Sequence, residues 1–178
     1  MKIFFSLLLT ILFCLQSFTQ EPEERIDEKV DQITYDWDLE ADKLATYKGL
    51  GSICTDEEYR TKILGLMSDI HHYDTILYGI LTKMSKRSKD KEIKKSLKDI
   101  ARFEEKYNPK NFALFMRQEC NAFKDIESHA DDLRNEVGQN SYSGQVYILE
   151  TELYKYVKHV TASVDRIRQH VHHLSNHY

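Results

Sequence analysis

The chain has 178 residues, of which 41% are hydrophobic and 30% charged, and its formal net charge is −4 at pH 7. This length suits one domain that buries its own core without metal or many disulfides. The negative balance gives no general reason to expect a nucleic-acid partner, because nucleic-acid binding depends on basic residues that neutralise phosphates.

The beginning of the chain has the pattern of a secretory signal peptide. An apolar run follows Lys2 directly, and Ser17 and Thr19 place small residues just before a cleavage site. We expect residues 1–19 to be removed on export, and residues 20–178 to form a single periplasmic or extracellular domain. No second apolar run of about 18 residues occurs, so an integral membrane protein is not expected.

The remaining sequence is typical of long helices. Apolar residues recur with alternating spacings of four and three, and no useful stretch alternates as a strand would. The first predicted helix starts near Pro22 and ends at the glycine-containing segment 49–51. Thr55 is then expected to cap the second helix, with Glu58 completing a capping box.

The second predicted helix carries two neighbouring rows of residues. The first row is Tyr59, Ile63, Leu66, Ile70, Tyr73, Leu77, Ile80 and Met84. The second row is Leu64, Met67, His71, Asp74, Tyr78 and Leu81. We expect the first row to face the core and the second to meet another helix, because two stripes indicate neighbours on both sides.

Three further helices are predicted. A break within 85–90 separates the second helix from a shorter third one, and Asn108 and Pro109 then have the pattern of a cap and a first helical residue. A turn at 138–144, rich in Gly, Asn and Ser, separates the fourth helix from the fifth. The predicted fold is therefore all-α, an elongated antiparallel bundle of four long helices plus one shorter helix.

Several polar residues interrupt the apolar rows: Glu40, His71, Asp74, Glu104 and Glu119. Buried carboxylates need partners, a metal or an exit to solvent. If Glu40 and Glu119 lay level with His71 and Asp74, the interior would offer the donor set of a transition-metal site. A structural hydrogen-bonded network and an exit to solvent at the core edge are the alternatives, and the Glu-x-x-His motif of di-iron bundles is missing.

The C-terminal segment is rich in histidine. His170, His172, His173 and His177 fall within eight residues, and His173 with His177 has the i, i+4 spacing that lets two imidazoles bind one metal ion. The metal set predicted here is His170, His173 and His177. The alternative is an exposed, frayed helix end without a physiological ligand.

Two cysteines remain after the expected cleavage, Cys54 and Cys120. A pair in an oxidising compartment can close a disulfide. Cys54 is expected in a loop and Cys120 inside a helix, so two separate buried thiols are the alternative.

Charge is unevenly distributed along the chain. Ten acidic residues lie between Glu21 and Asp42, whereas Lys83 to Lys98 holds eight basic and two acidic residues. The basic stretch suits lipid headgroups or an acidic partner, and a merely solvated face is the alternative.

The sequence contains no Gly-x-Ser-x-Gly, His-Glu-x-x-His, Cys-x-x-Cys-His or phosphate-binding glycine loop. These absences favour a non-enzymatic exported protein that binds a protein partner or the envelope surface. A metal-binding bundle is the alternative function, and oligomeric state stays open.

Overall fold

The computed structural model of the protein describes residues 21–86, 89–136 and 139–177. These residues form seven α-helices and no strand, which confirms the predicted all-α class. In chain order the helices are α1 (Glu21–Leu44), α2 (Tyr47–Thr55), α3 (Glu57–Ser85), α4 (Lys91–Tyr107), α5 (Pro109–Ser128), α6 (Ala130–Glu136) and α7 (Gln139–His177). The expected signal peptide lies outside the described residues.

The expected end of the first helix at 49–51 is wrong. The helix α1 ends at Leu44, and Thr46 caps α2 by accepting a hydrogen bond from the Gly49 amide at 3.0 Å. A Cβ at Gly49 would lie 1.7 Å from the Lys43 carbonyl oxygen. This glycine therefore allows α2 to approach the end of α1 closely, and it does not terminate a helix.

The cap of α3 is Asp56 and not Thr55. The Asp56 carboxylate accepts a hydrogen bond from the Tyr59 amide at 3.0 Å. The Thr55 hydroxyl instead donates to the Gly51 carbonyl, 2.8 Å away, as the last residue of α2. A carboxylate at this position also interacts favourably with the positive end of the helix dipole.

Two other boundaries agree with the prediction. The helix α3 ends at Ser85 and α4 begins at Lys91, and the Asp90 carboxylate caps α4 by accepting from the Glu92 amide at 2.8 Å. The Asn108 side chain caps α5 by accepting from the Asn111 amide at 3.0 Å, and Pro109 follows as the first helical residue.

The region between the last two predicted helices differs from the expectation. His129 interrupts the fourth predicted helix between α5 and α6. The predicted turn is wrong over residues 139–144, which belong to α7. The first turns of α7 are held by contacts with other helices, which the turn-forming residues of this segment did not reveal. The Tyr142 hydroxyl donates to Glu127 at 3.1 Å, and the Tyr142 ring lies under the Arg134 guanidinium.

The buried side of α3 is one stripe that combines both predicted rows. Its members are Ile63, Met67, Ile70, Asp74, Leu77 and Leu81. Leu66 and Ile80 from the expected core row are only half-buried. The true stripe lies between the two rows, because α3 packs against both α4 and α1.

A single cluster of buried apolar residues joins the helices. The helix α1 packs along α7, where the fully buried Trp37 indole donates a hydrogen bond to the Thr161 hydroxyl at 2.9 Å. Within the described ranges, no helix combines the length and apolar character needed to cross a membrane.

Candidate functional site

The polar residue at the centre of α3 is Asp74, and its side chain has no exposed surface. It faces Glu104 of α4, whose Oε2 lies 2.5 Å from His71 Nδ1. His71 and Asp74 are three residues apart on α3, so one carboxylate on α4 lies opposite both. The sequence indicated the His71–Asp74 pair but did not assign Glu104 as its partner.

The pKa of Asp74 lies well above its ordinary value. Burial, together with the hydrogen bond to Glu104 and its negative charge, raises the pKa of Asp74 to about 9. Two ionised carboxylates can only accept hydrogen bonds, so neither can donate to the other until one carries a proton. The proton on Asp74 supplies that donor, and this makes the contact between α3 and α4 attractive.

Glu40 occupies a separate polar site nearer the start of α3. Its carboxylate accepts hydrogen bonds from the Tyr59 hydroxyl at 2.7 Å and from Lys62 Nζ at 2.5 Å. Burial opposes ionisation, but these two donors lower the pKa of Glu40 below its ordinary value. Lys62 and Asp74 are twelve residues apart on one helix, which is about 18 Å.

Glu119 is half-buried on α5, and both its burial and the charge of Glu152 on α7 raise its pKa. Its surroundings therefore differ from those of Glu40 and of Asp74. The structure does not bring together the four residues of the expected interior metal set, Glu40, His71, Asp74 and Glu119. Each of these polar residues instead contacts a different neighbour, because the rotation of its own helix decides which side chain lies opposite it.

The C-terminal histidines diverge towards different helices. His170 Nδ1 lies 2.9 Å from the buried Ser96 hydroxyl of α4, and burial lowers the pKa of His170. His172 Nε2 lies 3.1 Å from Asp31 of α1, which Arg168 also contacts. The side chain of His177 is outside the described part of the structure, so the expected pair with His173 is not tested. No group of three or more His, Cys, Asp or Glu side chains among the described residues is arranged to hold a metal ion.

Cys54 and Cys120 are joined in a disulfide, with their Cα atoms 5.4 Å apart. Cys54 lies in α2 and not in a loop as expected, and Cys120 lies in α5. The bridge therefore connects two helices across 66 residues of sequence. The sequence left a disulfide and two separate buried thiols as alternatives. The packing of α2 against α5 decides between them, and no local sequence pattern encodes that packing.

The helix α4 has a basic face on the side opposite its buried residues. We define this basic face as Lys91, Lys94, Lys95, Lys98, Arg102 and Lys106, all of which are exposed. At 3.6 residues per turn they occupy about 120° of the helix circumference and about 22 Å of its length. None of these six residues forms an ion pair with a described residue. Glu105 is the one acidic residue of α4 that lies within the same face.

The other acidic residues of α4 lie at its flanks. Glu92 and Asp99 are near His170 of α7 and tend to raise its pKa, while Glu104 faces His71 on α3. Three of the four acidic residues of α4 therefore lie outside the basic face, and only Glu105 lies within it. The sequence analysis identified the basic stretch only as far as Lys98. The helical period, which places Arg102 and Lys106 on the same face, could have shown that the basic face continues.

No known protein family, curated protein or solved structure matches this chain.

Proposed function

We propose that this chain is an exported, non-enzymatic helical-bundle protein that binds an anionic envelope surface through the basic face of α4. The observation that carries the proposal is the separation of charge on that helix. In a chain of net charge −4, six exposed cations share one face and have no ion pair with a described residue.

The shape of the basic face suits a surface more than a single small ligand. Five of its six members are lysines, which are flexible point charges, and they are spread along about 22 Å of helix. An extended array of this kind interacts with many anionic headgroups at once, at about 1 kcal/mol per basic residue.

Two features support export. The first is the pattern of a cleavable signal peptide over residues 1–19. The second is the disulfide between Cys54 and Cys120, because such bonds persist in oxidising compartments. Mass spectrometry of the N-terminal peptide from the exported fraction should show a chain that begins at Gln20, as glutamine or as its cyclised pyroglutamate form, and a start at Met1 would contradict this part of the proposal.

The bundle arrangement is supported by helix lengths and connections. The helices α1, α3 and α7 have 24, 29 and 39 residues, or about 36, 44 and 58 Å. Connections of one or two residues, such as Thr46, Asp56 and Asn108, favour neighbouring helices that fold back on one another. We infer one elongated antiparallel domain that presents α4 on its outside.

The binding test is sedimentation of the exported protein with vesicles. The protein should sediment with vesicles of 70% phosphatidylcholine and 30% phosphatidylglycerol at low salt, and not with pure phosphatidylcholine. Binding should weaken strongly as salt rises, because screening shortens the reach of exposed charges. The triple variant Lys91→Glu, Lys98→Glu, Arg102→Glu should lose at least about 100-fold in affinity.

A matched control separates the basic face from net charge. The variant Lys29→Glu, Lys48→Glu, Lys110→Glu alters net charge equally at exposed lysines of other helices, and it should keep most of the binding. Equal losses in the two triple variants would contradict a role for α4. Absence of wild-type binding to anionic vesicles would contradict the surface proposal and favour a protein partner.

The alternative function, a metal-binding bundle, has no support among the described side chains, since none of them form a metal-holding group of three.

A further inference from the structure

A groove of about 260 Å³ lies beside the disulfide, between α2, α3 and α5. Its apolar lining includes Ile53, Leu64, Phe112 and Met116, together with the Cys54–Cys120 bridge. Ile53 and Phe112 are themselves fully buried, so this side of the groove is a firm part of the core. The disulfide joins two of the three helices and holds the groove in shape before any ligand arrives.

The polar lining of the groove is entirely basic or neutral. Arg117, Asn121 and Lys124 follow one another at spacings of four and three, which places them on one face of α5. Arg60 approaches from α3. No acidic side chain lines the groove, and Arg60, Arg117 and Lys124 form no ion pair with a described residue.

We propose that this groove binds a small amphipathic organic anion, namely a medium-chain carboxylate whose apolar tail lies against Leu64, Phe112 and Met116. The two arginines supply the fork of donors that a carboxylate accepts in pairs. Ligand pockets commonly combine an apolar lining with a few placed polar groups, as this one does. The volume is slightly below the usual range of about 300 to 1,000 Å³, which favours a short chain over a long one.

This site is independent of the proposed surface binding. The groove is built by α2, α3 and α5, whereas the basic face belongs to α4. A variant that loses one activity is therefore expected to keep the other, and failure of either proposal can be recognised separately.

The test is calorimetric titration of the disulfide-intact protein with octanoate, with 1-octanol and acetate as comparison ligands. Octanoate should bind saturably with one site per chain. Octanol, which has the tail without the charge, and acetate, which has the charge without the tail, should each bind at least 10-fold more weakly. Equal binding of octanoate and octanol would overturn the anionic part of the proposal.

Variants locate the site. Arg60→Gln with Arg117→Gln should weaken octanoate binding at least 10-fold, whereas Arg134→Gln with Arg166→Gln, at exposed arginines outside both the groove and the basic face, should not. Thermal melting of each variant confirms that it is folded.

In a second measurement, Ala113→Leu, which fills the groove from α5, should abolish octanoate binding in a folded protein. Lack of saturable wild-type binding, or equal effects of the two arginine pairs, would overturn the proposal.

Discussion

Asp74 faces Glu104 across the contact between α3 and α4, and the burial of Asp74 together with the charge of the half-buried Glu104 raises the pKa of Asp74 to about 9. The folded protein therefore retains a proton that an unfolded chain releases near pH 3.8. Between these pH values the unfolded state binds fewer protons, so the free energy of unfolding falls as pH rises, by at most about 1.4 kcal/mol per pH unit. The stabilisation is fully present below about pH 4 and is lost as pH rises through about 9.

The variant Asp74→Asn should remove this pH dependence. An amide is neutral at every pH and can donate a hydrogen bond to Glu104. The variant therefore avoids the cost of holding a proton above pH 3.8, and at pH 8 it should exceed the wild type in stability by up to about 5 kcal/mol. Urea unfolding at several pH values measures the effect. The control is Asp69→Asn, at an exposed position of the same helix, and the two variants should differ. An unchanged pH slope in Asp74→Asn would show that Asp74 is ionised in the fold.

Core substitutions on α3 should follow the observed buried stripe. Ile70→Ala and Leu77→Ala each remove a buried side chain and should cost about 2 to 5 kcal/mol of unfolding free energy. Leu66→Ala and Ile80→Ala, at half-buried positions, should cost clearly less. Chemical denaturation provides the comparison, and similar losses at all four positions would mean that the buried face is misplaced.

Reduction of the disulfide should destabilise the protein. The bridge closes a loop of 66 residues and limits the unfolded chain, which corresponds to about 4 kcal/mol in the chain-entropy description. We expect a loss of about 2 to 4 kcal/mol with a reducing agent, measured by urea unfolding. The double variant Cys54→Ser, Cys120→Ser should show a similar loss and no further response to the reductant. If mass spectrometry shows free thiols in the reduced wild type but its free energy of unfolding is unchanged, the disulfide has no stabilising role.

Two glycines should respond to alanine in opposite directions. Gly49→Ala would place a Cβ against the Lys43 carbonyl and should lower the melting temperature by several degrees, since about 1 kcal/mol shifts it by roughly 2 to 8 °C. Gly79→Ala, in the interior of α3 with open space around it, should gain up to about 1 kcal/mol. Calorimetric melts distinguish the two cases, and a neutral Gly49→Ala would argue against the close approach of α2 to α1.

The hydrogen bond between the buried Trp37 and the half-buried Thr161 should contribute to the packing of α1 on α7. Thr161→Val leaves the indole N–H without its partner and should cost about 1 to 3 kcal/mol. In the control, Thr151→Val, the lost hydroxyl bonded only to the Tyr147 carbonyl of its own helix, so a smaller cost is expected. Fluorescence of Trp37 during denaturation reports both variants, and equal costs would mean that the indole finds another partner.

Local features of the fold were predictable where the signal is local. Asn108 followed by Pro109 marks the start of α5 because a side-chain acceptor and a fixed backbone angle act within four residues. The segment 49–51 misled the prediction, since glycine is found both at helix ends and where two backbones approach closely. Only the distance from Gly49 to Lys43 separates these cases.

The candidate sites were predictable only in part. The sequence marked His71, Asp74 and Glu104 as polar intrusions, but the residues that meet depend on how far each helix rotates about its axis. A rotation of one residue is about 100°, which moves a side chain from one neighbour to another. The same reason explains why His170 faces Ser96 and His172 faces Asp31, although the clustering of histidines in the tail suggested a metal site.

By itself, the sequence determined the helical class, the break before α4 and the cap of α5, because hydrophobic period, capping and proline act over a few residues of chain. The tertiary structure alone decided that Cys54 meets Cys120, that Glu104 faces Asp74 and that the cations of α4 share its outer face free of ion pairs with described residues. These relationships join residues far apart in the chain. They depend on the register and rotation of packed helices, which the whole core fixes together and no single segment encodes.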